Sequence, residues 1–192
     1  IDKDAIYSAE GNAAITSSQL VIGQIVAYAG EYGISQDPFS FAVYGYRKYF
    51  TDKKRGVVLR LSQDGMTEIS SYGMHDFFRD ELTNATKIVG GWDAHNKNYI
   101  LSIQGPTIGP IPGTDPIQYT GYKTSAFDES VLGWTSFYSY KPTYITSLIS
   151  NFYSFDNNKI YQHNLGNYGT FYGTTYDSDV TIVLNSDPSV VK

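Results

Sequence analysis

The sequence predicts an all-β protein built from repeated antiparallel hairpins, and its composition supplies the first evidence. The 192 residues include 18 Tyr but only 9 Leu, and aromatic residues make up 16% of the chain. Tyr and β-branched residues suit the pleated, half-buried surface of a sheet. Helical bundles and coiled coils need more Leu, Ala, Glu and Lys than this chain contains. A hydrophobic content of 41% is enough to bury a core, which disfavours disorder.

A recurring local pattern supplies the second evidence. A strand with aromatic or β-branched residues reaches an Asp, a short polar turn follows, and a second strand returns. The pattern occurs over residues 49–59, 88–100, 125–135 and 152–161. Asp is favoured before such a turn because its side chain can bond to the backbone two residues on. The four turn aspartates are Asp52, Asp93, Asp128 and Asp156. The residues available for a positive φ angle in these turns are Gly56, Asn98, Gly133 and Asn158.

Hairpins repeated along a chain leave sheet edges that have to be closed, stacked or arranged radially. The pattern predicts about eleven strands, enough for two or three blades of a propeller with four strands in each blade. Since propellers have at least about four blades, the prediction is a partial ring. The chain also begins at Ile1 without an initiator Met, so we expect a piece of a longer or processed polypeptide. A sandwich made of the same hairpins remains an alternative.

The remaining segments define the predicted organisation of the chain. Residues 1–27 are expected to be an N-terminal connecting segment, and residues 28–192 the propeller-like blades. One short helix is predicted near residues 74–83, where Met74, Phe77, Phe78 and Leu82 recur at helical spacing. A loop rich in Pro and Gly is predicted over residues 105–118, because four of the seven prolines lie there. Such a loop either projects toward a partner or is only a connection.

Sequence motifs give no candidate for catalysis or for metal or cofactor binding. His75, His95 and His163 form no metal-ligand spacing, and there is no nucleophile elbow, P-loop or dinucleotide fingerprint. The absence of Cys excludes disulfides, thiol catalysis and thiolate metal sites. Turn formation explains the four aspartates, and turn tips are expected to be exposed, unlike a catalytic acid. We therefore predict no enzyme activity, no catalytic residue, no cofactor and no metal ligand.

Charge and aromatic patterning bear on partners. The net charge is −5, which argues against a dedicated nucleic-acid binder, yet six basic residues crowd into residues 47–60. That cluster either faces DNA or an acidic neighbour, or it keeps a solvated hairpin from pairing edge to edge, and the acidic remainder of the chain favours the second interpretation. The aromatic residues of 133–140 do not alternate cleanly, so some are expected in the core and others at a contact surface. No apolar run is long enough to span a membrane.

An ordered set of sequence runs resembles one family of virion proteins. The runs extend from about residue 28 to the C-terminus and comprise residues 30–35, 37–41, 46–52, 58–70, 72–74, 126–129, 133–137, 151–164, 179–185 and 188–192. Together they resemble the muzzle or nozzle proteins that close the tail of crAss-like podophages, and related structural proteins of large marine phages. Members of that family are much longer than this chain.

The resemblance implies a structural component of a bacteriophage virion tail that helps to form or close the channel for genome ejection. It implies a β-rich, propeller-like subunit that assembles with copies of itself and with neighbouring tail or ring proteins, with transient contact to genomic DNA. The protein would be made in the host cytoplasm and reside in the virion tail. One alternative is a carbohydrate-binding propeller that attaches to the host surface through exposed Tyr and Trp. A second is a glycosidase with two carboxylates in a cleft.

Overall fold

The computed structural model describes residues 4–7, 13–16, 28, 30–34, 36–106 and 121–182. It divides the chain into two compact units, Ile1–Gly30 and Glu31–Lys192. In the first unit, strand β1 (Asp4–Tyr7) pairs antiparallel with β2 (Ala13–Thr16). The predicted Pro/Gly-rich loop lies largely outside the described residues, as do residues 183–192. The remaining sheets and the candidate site all belong to the second unit.

The prediction of a mostly β protein with antiparallel sheets and one short helix is confirmed. The first sheet contains β3 (Ala42–Tyr44), β4 (Arg47–Asp52), β5 (Val57–Ser62) and β6 (Gly65–Glu68). The second contains β7 (Lys87–Asp93), β8 (Asn98–Gln104), β9 (Tyr122–Asp128) and β10 (Gly133–Tyr138). The third contains β11 (Tyr144–Leu148), β12 (Asn151–Asp156) and β13 (Lys159–Gln162), and a small hairpin joins β14 (Thr170–Phe171) to β15 (Thr174–Thr175). Within each sheet the strands lie in chain order.

The four predicted hairpins are β4–β5, β7–β8, β9–β10 and β12–β13. Two of the four expected positions of positive φ are also correct, since φ is 66° at Gly56 and 61° at Asn158. In the other two turns the left-handed residue comes one position earlier, at Lys97 and Leu132 rather than at Asn98 and Gly133. Asn98 and Gly133 instead begin the returning strands, where they pair with the partner strand in extended conformation.

Helix α1 (His75–Asn84) lies where a helix was predicted and connects the first sheet to the second. Phe78 and Leu82 are fully buried, whereas Met74 and Phe77 are only partly buried at the edge of the same core. The Phe78 ring lies 4.4 Å from the ring of Trp134 on β10. The helix therefore closes one side of the core between the first two sheets. No helix in the described part of the chain has the length and apolar character needed to cross a bilayer.

Sheets one, two and three are stacked face to face, with one apolar core between each neighbouring pair. The core between the first two contains Tyr49, Trp92 and Tyr99, whose rings stack at centroid distances of 5.3 Å and 5.0 Å about Tyr49. The core between the second and third contains Ile100 and Phe152. The first strands of the sheets lie side by side, because β7 contacts both β3 and β11. This arrangement is a fan of sheets whose first strands converge.

Two glycines on β7, the strand of the second sheet that contacts both β3 and β11, allow the neighbouring segments to come close. A Cβ atom at Gly90 would overlap the carbonyl oxygen of Ser40, and a Cβ atom at Gly91 would overlap the side chain of Ile145 on β11. These contacts lie on opposite faces of β7, since neighbouring residues of a strand point to opposite sides. The pair Gly90-Gly91 therefore sets the spacing on both sides of the middle sheet.

The aromatic run on β10 is divided between core and surface, as the irregular pattern predicted. A bulge between Trp134 and Ser136 shifts the register of β10 against β9. Trp134 packs against the first core and donates its indole N–H to the Ile69 carbonyl at 3.0 Å. Tyr138 packs against the second core, and Phe137 is 59% exposed. The bulge explains why a period of two fails in this run.

The outer faces of the stack differ from each other. On the first sheet, Phe50 and Leu59 face outward and are covered by Tyr32, and the backbone N–H of Gly33 donates to Asp52 at 3.1 Å. On the third sheet, the outer face carries Tyr144, Leu148, Phe155 and Ile160 together with Thr146, Asn151, Tyr153 and Gln162. Leu148 is 64% and Ile160 66% exposed. The ring of Phe39 lies 5.9 Å from that of Tyr144 at an edge of this face.

Candidate ligand cavity beside the third sheet

A cavity of about 390 Å³ opens where the chain leaves β13 and turns into the β14–β15 hairpin. Its lining is formed by residues 161–173 together with His95 from the β7–β8 turn. Aromatic rings, side-chain amides and glycine backbone make up most of the wall. The size is within the roughly 300–1,000 Å³ usual for small-molecule sites.

Three hydroxyl and imidazole groups are joined in a hydrogen-bonded chain behind the cavity wall. The Tyr172 hydroxyl donates to Ser154 Oγ at 2.8 Å, and Ser154 Oγ lies 2.6 Å from His163 Nε2. Ser154 Oγ accepts from Tyr172, and the direction of its hydrogen bond with His163 depends on the tautomer of the imidazole.

Burial controls the protonation of this chain. Desolvation lowers the pKa of His163 from 6.5 to about 4, although the carboxylate of Asp93 acts in the opposite direction. Burial also raises the pKa of Tyr172 to about 12, against the opposing effect of its bond to Ser154. Both groups are therefore neutral at pH 7. Ser154 itself is fully buried, so its hydroxyl is a structural link and is not accessible to a substrate.

Asp93 connects the β7–β8 turn to the cavity loop. Its Oδ1 accepts the backbone N–H groups of His95 at 3.0 Å and Asn96 at 3.3 Å, and its Oδ2 accepts the Asn96 amide at 2.8 Å. The Asn164 amide, 71 positions along the chain, donates to Oδ1 and Oδ2 of Asp93 at 3.2 Å and 3.3 Å. This network fixes the start of the cavity loop onto the second sheet.

The expectation that the turn aspartates are exposed is wrong, since none of the four is exposed. Asp52 and Asp93 are each only 3% exposed, whereas Asp128 and Asp156 are half-buried. The buried pair is reached by donors from distant segments, Gly33 for Asp52 and Asn164 for Asp93. Asp128 bonds locally, and its hydrogen bonds from the Ser130 hydroxyl and backbone N–H hold its pKa below the usual value. Local turn chemistry therefore explains the hydrogen bonds of Asp128 but only some of those of Asp52 and Asp93.

The basic cluster of residues 47–60 is largely paired. Arg60 donates to Glu129 at 2.9 Å, and Arg47 lies 3.8 Å from the same carboxylate. Arg55 pairs with Asp52 at 3.1 Å and with Glu31 at 3.5 Å. In the described part of the chain no carboxylate pairs with the remaining members, Lys48, Lys53 and Lys54. Half of the predicted positive cluster is therefore neutralised by its own neighbours.

The cavity was not predicted from the sequence. Ser154, His163 and Tyr172 have no motif spacing, and only folding brings Asp93 beside Asn164. The cavity lining contains no Asp or Glu, so it lacks the two carboxylates that glycoside hydrolysis requires. Within the described ranges, no group of three or more His, Asp and Glu side chains is arranged to hold a metal ion. The arrangement suits noncovalent binding of a neutral molecule.

The chain matches no protein-family model and no curated protein sequence.

Proposed function

We propose that this chain is a structural component of a bacteriophage tail, and that its three sheets are consecutive blades of a propeller-like assembly. The observation that supports the proposal most directly is the outer face of the third sheet. Tyr144, Leu148, Phe155 and Ile160 place apolar side chains on this face, between the polar side chains of Thr146, Asn151 and Gln162. Faces of this kind mark protein interfaces.

The internal packing of the chain supports the proposed mode of assembly. Each junction joins two sheet faces and brings the first strands of the two sheets together. A further sheet placed on the third one in the same way would continue the fan toward a ring, as the blades of a propeller do. We propose that a neighbouring tail protein supplies this continuing sheet, whereas a second copy of the chain would pair through its own third sheet. Any contact with the exiting genome would be made by Lys48, Lys53 and Lys54.

The assembly surface can be tested by charging it. We expect the purified protein to form oligomers in size-exclusion chromatography with light scattering, and Ile160→Lys to shift it toward the monomer. Val131→Lys is the matched control, because Val131 is 64% exposed but lies in the β9–β10 turn. It should leave the oligomer unchanged. Equal behaviour of the two variants would contradict the proposed surface.

The location in the virion needs a separate test. Antibodies against the purified chain should label the tails of phage particles in electron micrographs, and mass spectrometry should find its peptides in purified particles. Cross-links from Lys159, which lies beside the outer face, should lead to the same chain or to another tail protein. Peptides confined to the host lysate and missing from particles would refute the tail assignment.

A further inference from the structure

The cavity beside the third sheet has an electrically neutral lining. No Asp, Glu, Lys or Arg contributes to its wall, and His163 is uncharged at pH 7 because burial depresses its pKa. A charged ligand would lose hydration there without meeting an opposite charge among these residues. The lining therefore favours an uncharged ligand.

The remaining groups of the lining combine ring faces with amides. Tyr161 and Tyr168 offer aromatic surface, and Gln162 and Asn167 offer both hydrogen-bond donors and acceptors. Tyr168 is fully exposed, so its ring is not used in packing against the described residues. A ligand that matches these groups has apolar C–H patches next to hydroxyls that both donate and accept. Sugar rings have that chemistry.

Part of the wall is held in place before any ligand arrives. Asn164 is fixed by Asp93, and the ring of Tyr172 lies 4.4 Å from that of Tyr161 while its hydroxyl bonds to Ser154. These residues lose little entropy when a ligand binds beside them. From this lining and its supports, we propose that the cavity binds a neutral sugar residue of a glycan, with Tyr168 stacking on the ring and Asn167 bonding to its hydroxyls.

This binding function goes beyond the proposed structural role, and it gives a specific position to the carbohydrate-binding alternative. The two proposals depend on different surfaces, since Tyr168 and Asn167 do not belong to the outer face of the third sheet. A failure of sugar binding would therefore leave the assembly proposal intact, and a monomeric protein could still bind sugars.

The test uses the full chain on an array that contains neutral and acidic glycans. We expect binding to neutral glycans, with Tyr168→Ala weaker by about 5- to 10-fold because one stacked ring is lost. Asn167→Ala should weaken binding by about 3- to 10-fold through the loss of one or two neutral hydrogen bonds. The matched control is Tyr46→Ala, which removes another exposed tyrosine, 77% exposed and outside the cavity lining. It should bind like the unmodified chain.

A second measurement locates the site and separates free sugars from surface glycans. Methyl glycosides of glucose, galactose, mannose and N-acetylglucosamine are titrated into ¹⁵N-labelled protein, and amide shifts are expected in residues 161–173. Shifts there by a methyl glycoside would show that a single free sugar is sufficient. Array binding without such shifts, a preference for acidic glycans, undiminished binding by both cavity variants, or no binding to any neutral glycan would each overturn the proposal.

Discussion

Lowering the pH from 7 to 5 is expected to destabilise the folded chain by about 2 kcal/mol through His163 alone. In the fold, His163 is neutral and its Nε2 is hydrogen-bonded to Ser154, whose hydroxyl lies 2.6 Å away. The same imidazole is held 5.0 Å from the ring of Phe152 and 4.8 Å from that of Tyr140. A second proton on the ring would place a charge in these partly apolar surroundings, and burial disfavours that charge.

The sign and size of this destabilisation follow from the pKa of His163. Burial lowers the pKa of His163 in the folded state to about 4, against 6.5 for an ordinary histidine. The unfolded chain consequently binds a proton more readily, so the stability is complete above pH 6.5 and falls as the pH decreases toward 4. The difference between the two pKa values corresponds to about 3 kcal/mol of folding stability, and about 2 kcal/mol of that stability is lost by pH 5.

Urea unfolding followed by tryptophan fluorescence between pH 7 and 4.5 measures this effect. His163→Gln keeps a hydrogen-bonding side chain beside Ser154 but does not titrate, so its stability should depend less on pH by about 2 kcal/mol over pH 7 to 5. His95→Gln is the control, because it replaces another imidazole, exposed in the β7–β8 turn, and should retain the pH dependence due to His163. The carboxylates titrate in all three proteins and cancel in the comparison.

Imidazole NMR signals provide the direct check. A His163 pKa near 6.5 in the folded chain would refute the predicted destabilisation. The prediction would also fail if the unmodified chain and His163→Gln lost stability in parallel as the pH fell, since the destabilisation would then come from other groups.

The remaining predictions concern the stability of the stacked sheets, measured by urea unfolding at pH 7. Gly90→Ala should cost about 2–3 kcal/mol because the new Cβ atom overlaps a carbonyl oxygen, whereas Gly33→Ala, which meets nothing within 4 Å, should cost far less. Glu129→Gln should cost about 2–3 kcal/mol because it leaves two arginines of the first sheet without their carboxylate. The matched change Glu31→Gln, at a side chain that is 94% exposed, should cost less than about 0.5 kcal/mol. Leu132→Gly should raise stability by about 0.5–1 kcal/mol, since φ is 50° at this position. An unchanged or reduced stability of that variant would contradict the assigned turn geometry.

The hairpins could be predicted from the sequence because their determinants are local. The Asp that ends a strand and the Gly or Asn in the turn act within a few residues, as at Asp52 with Gly56 and at Asp156 with Asn158. Helix α1 was predicted for the same reason, since Phe78 and Leu82 recur at one helical period. Local chemistry therefore predicted these hairpins and this helix.

The cavity depends on contacts that local chemistry does not encode. His163 is neutral because it is buried against the third sheet, where it is hydrogen-bonded to Ser154, nine positions earlier in the chain. Asp93 is buried because Asn164 reaches it from 71 positions away. Burial and partner choice are properties of the packed sheets, so a pattern of residue types could not reveal them.

The different ends of the stack give the molecule a direction. The outer face of the first sheet is already covered by Tyr32, while that of the third sheet is open along the described chain. The chain therefore has one open sheet face. Two copies that meet through the outer faces of their third sheets would form a closed pair, and growth would stop there. A longer assembly requires a different partner whose own sheet has two apolar faces. The composition of the assembly would then be set by the supply of that partner, because this chain could only terminate the stack.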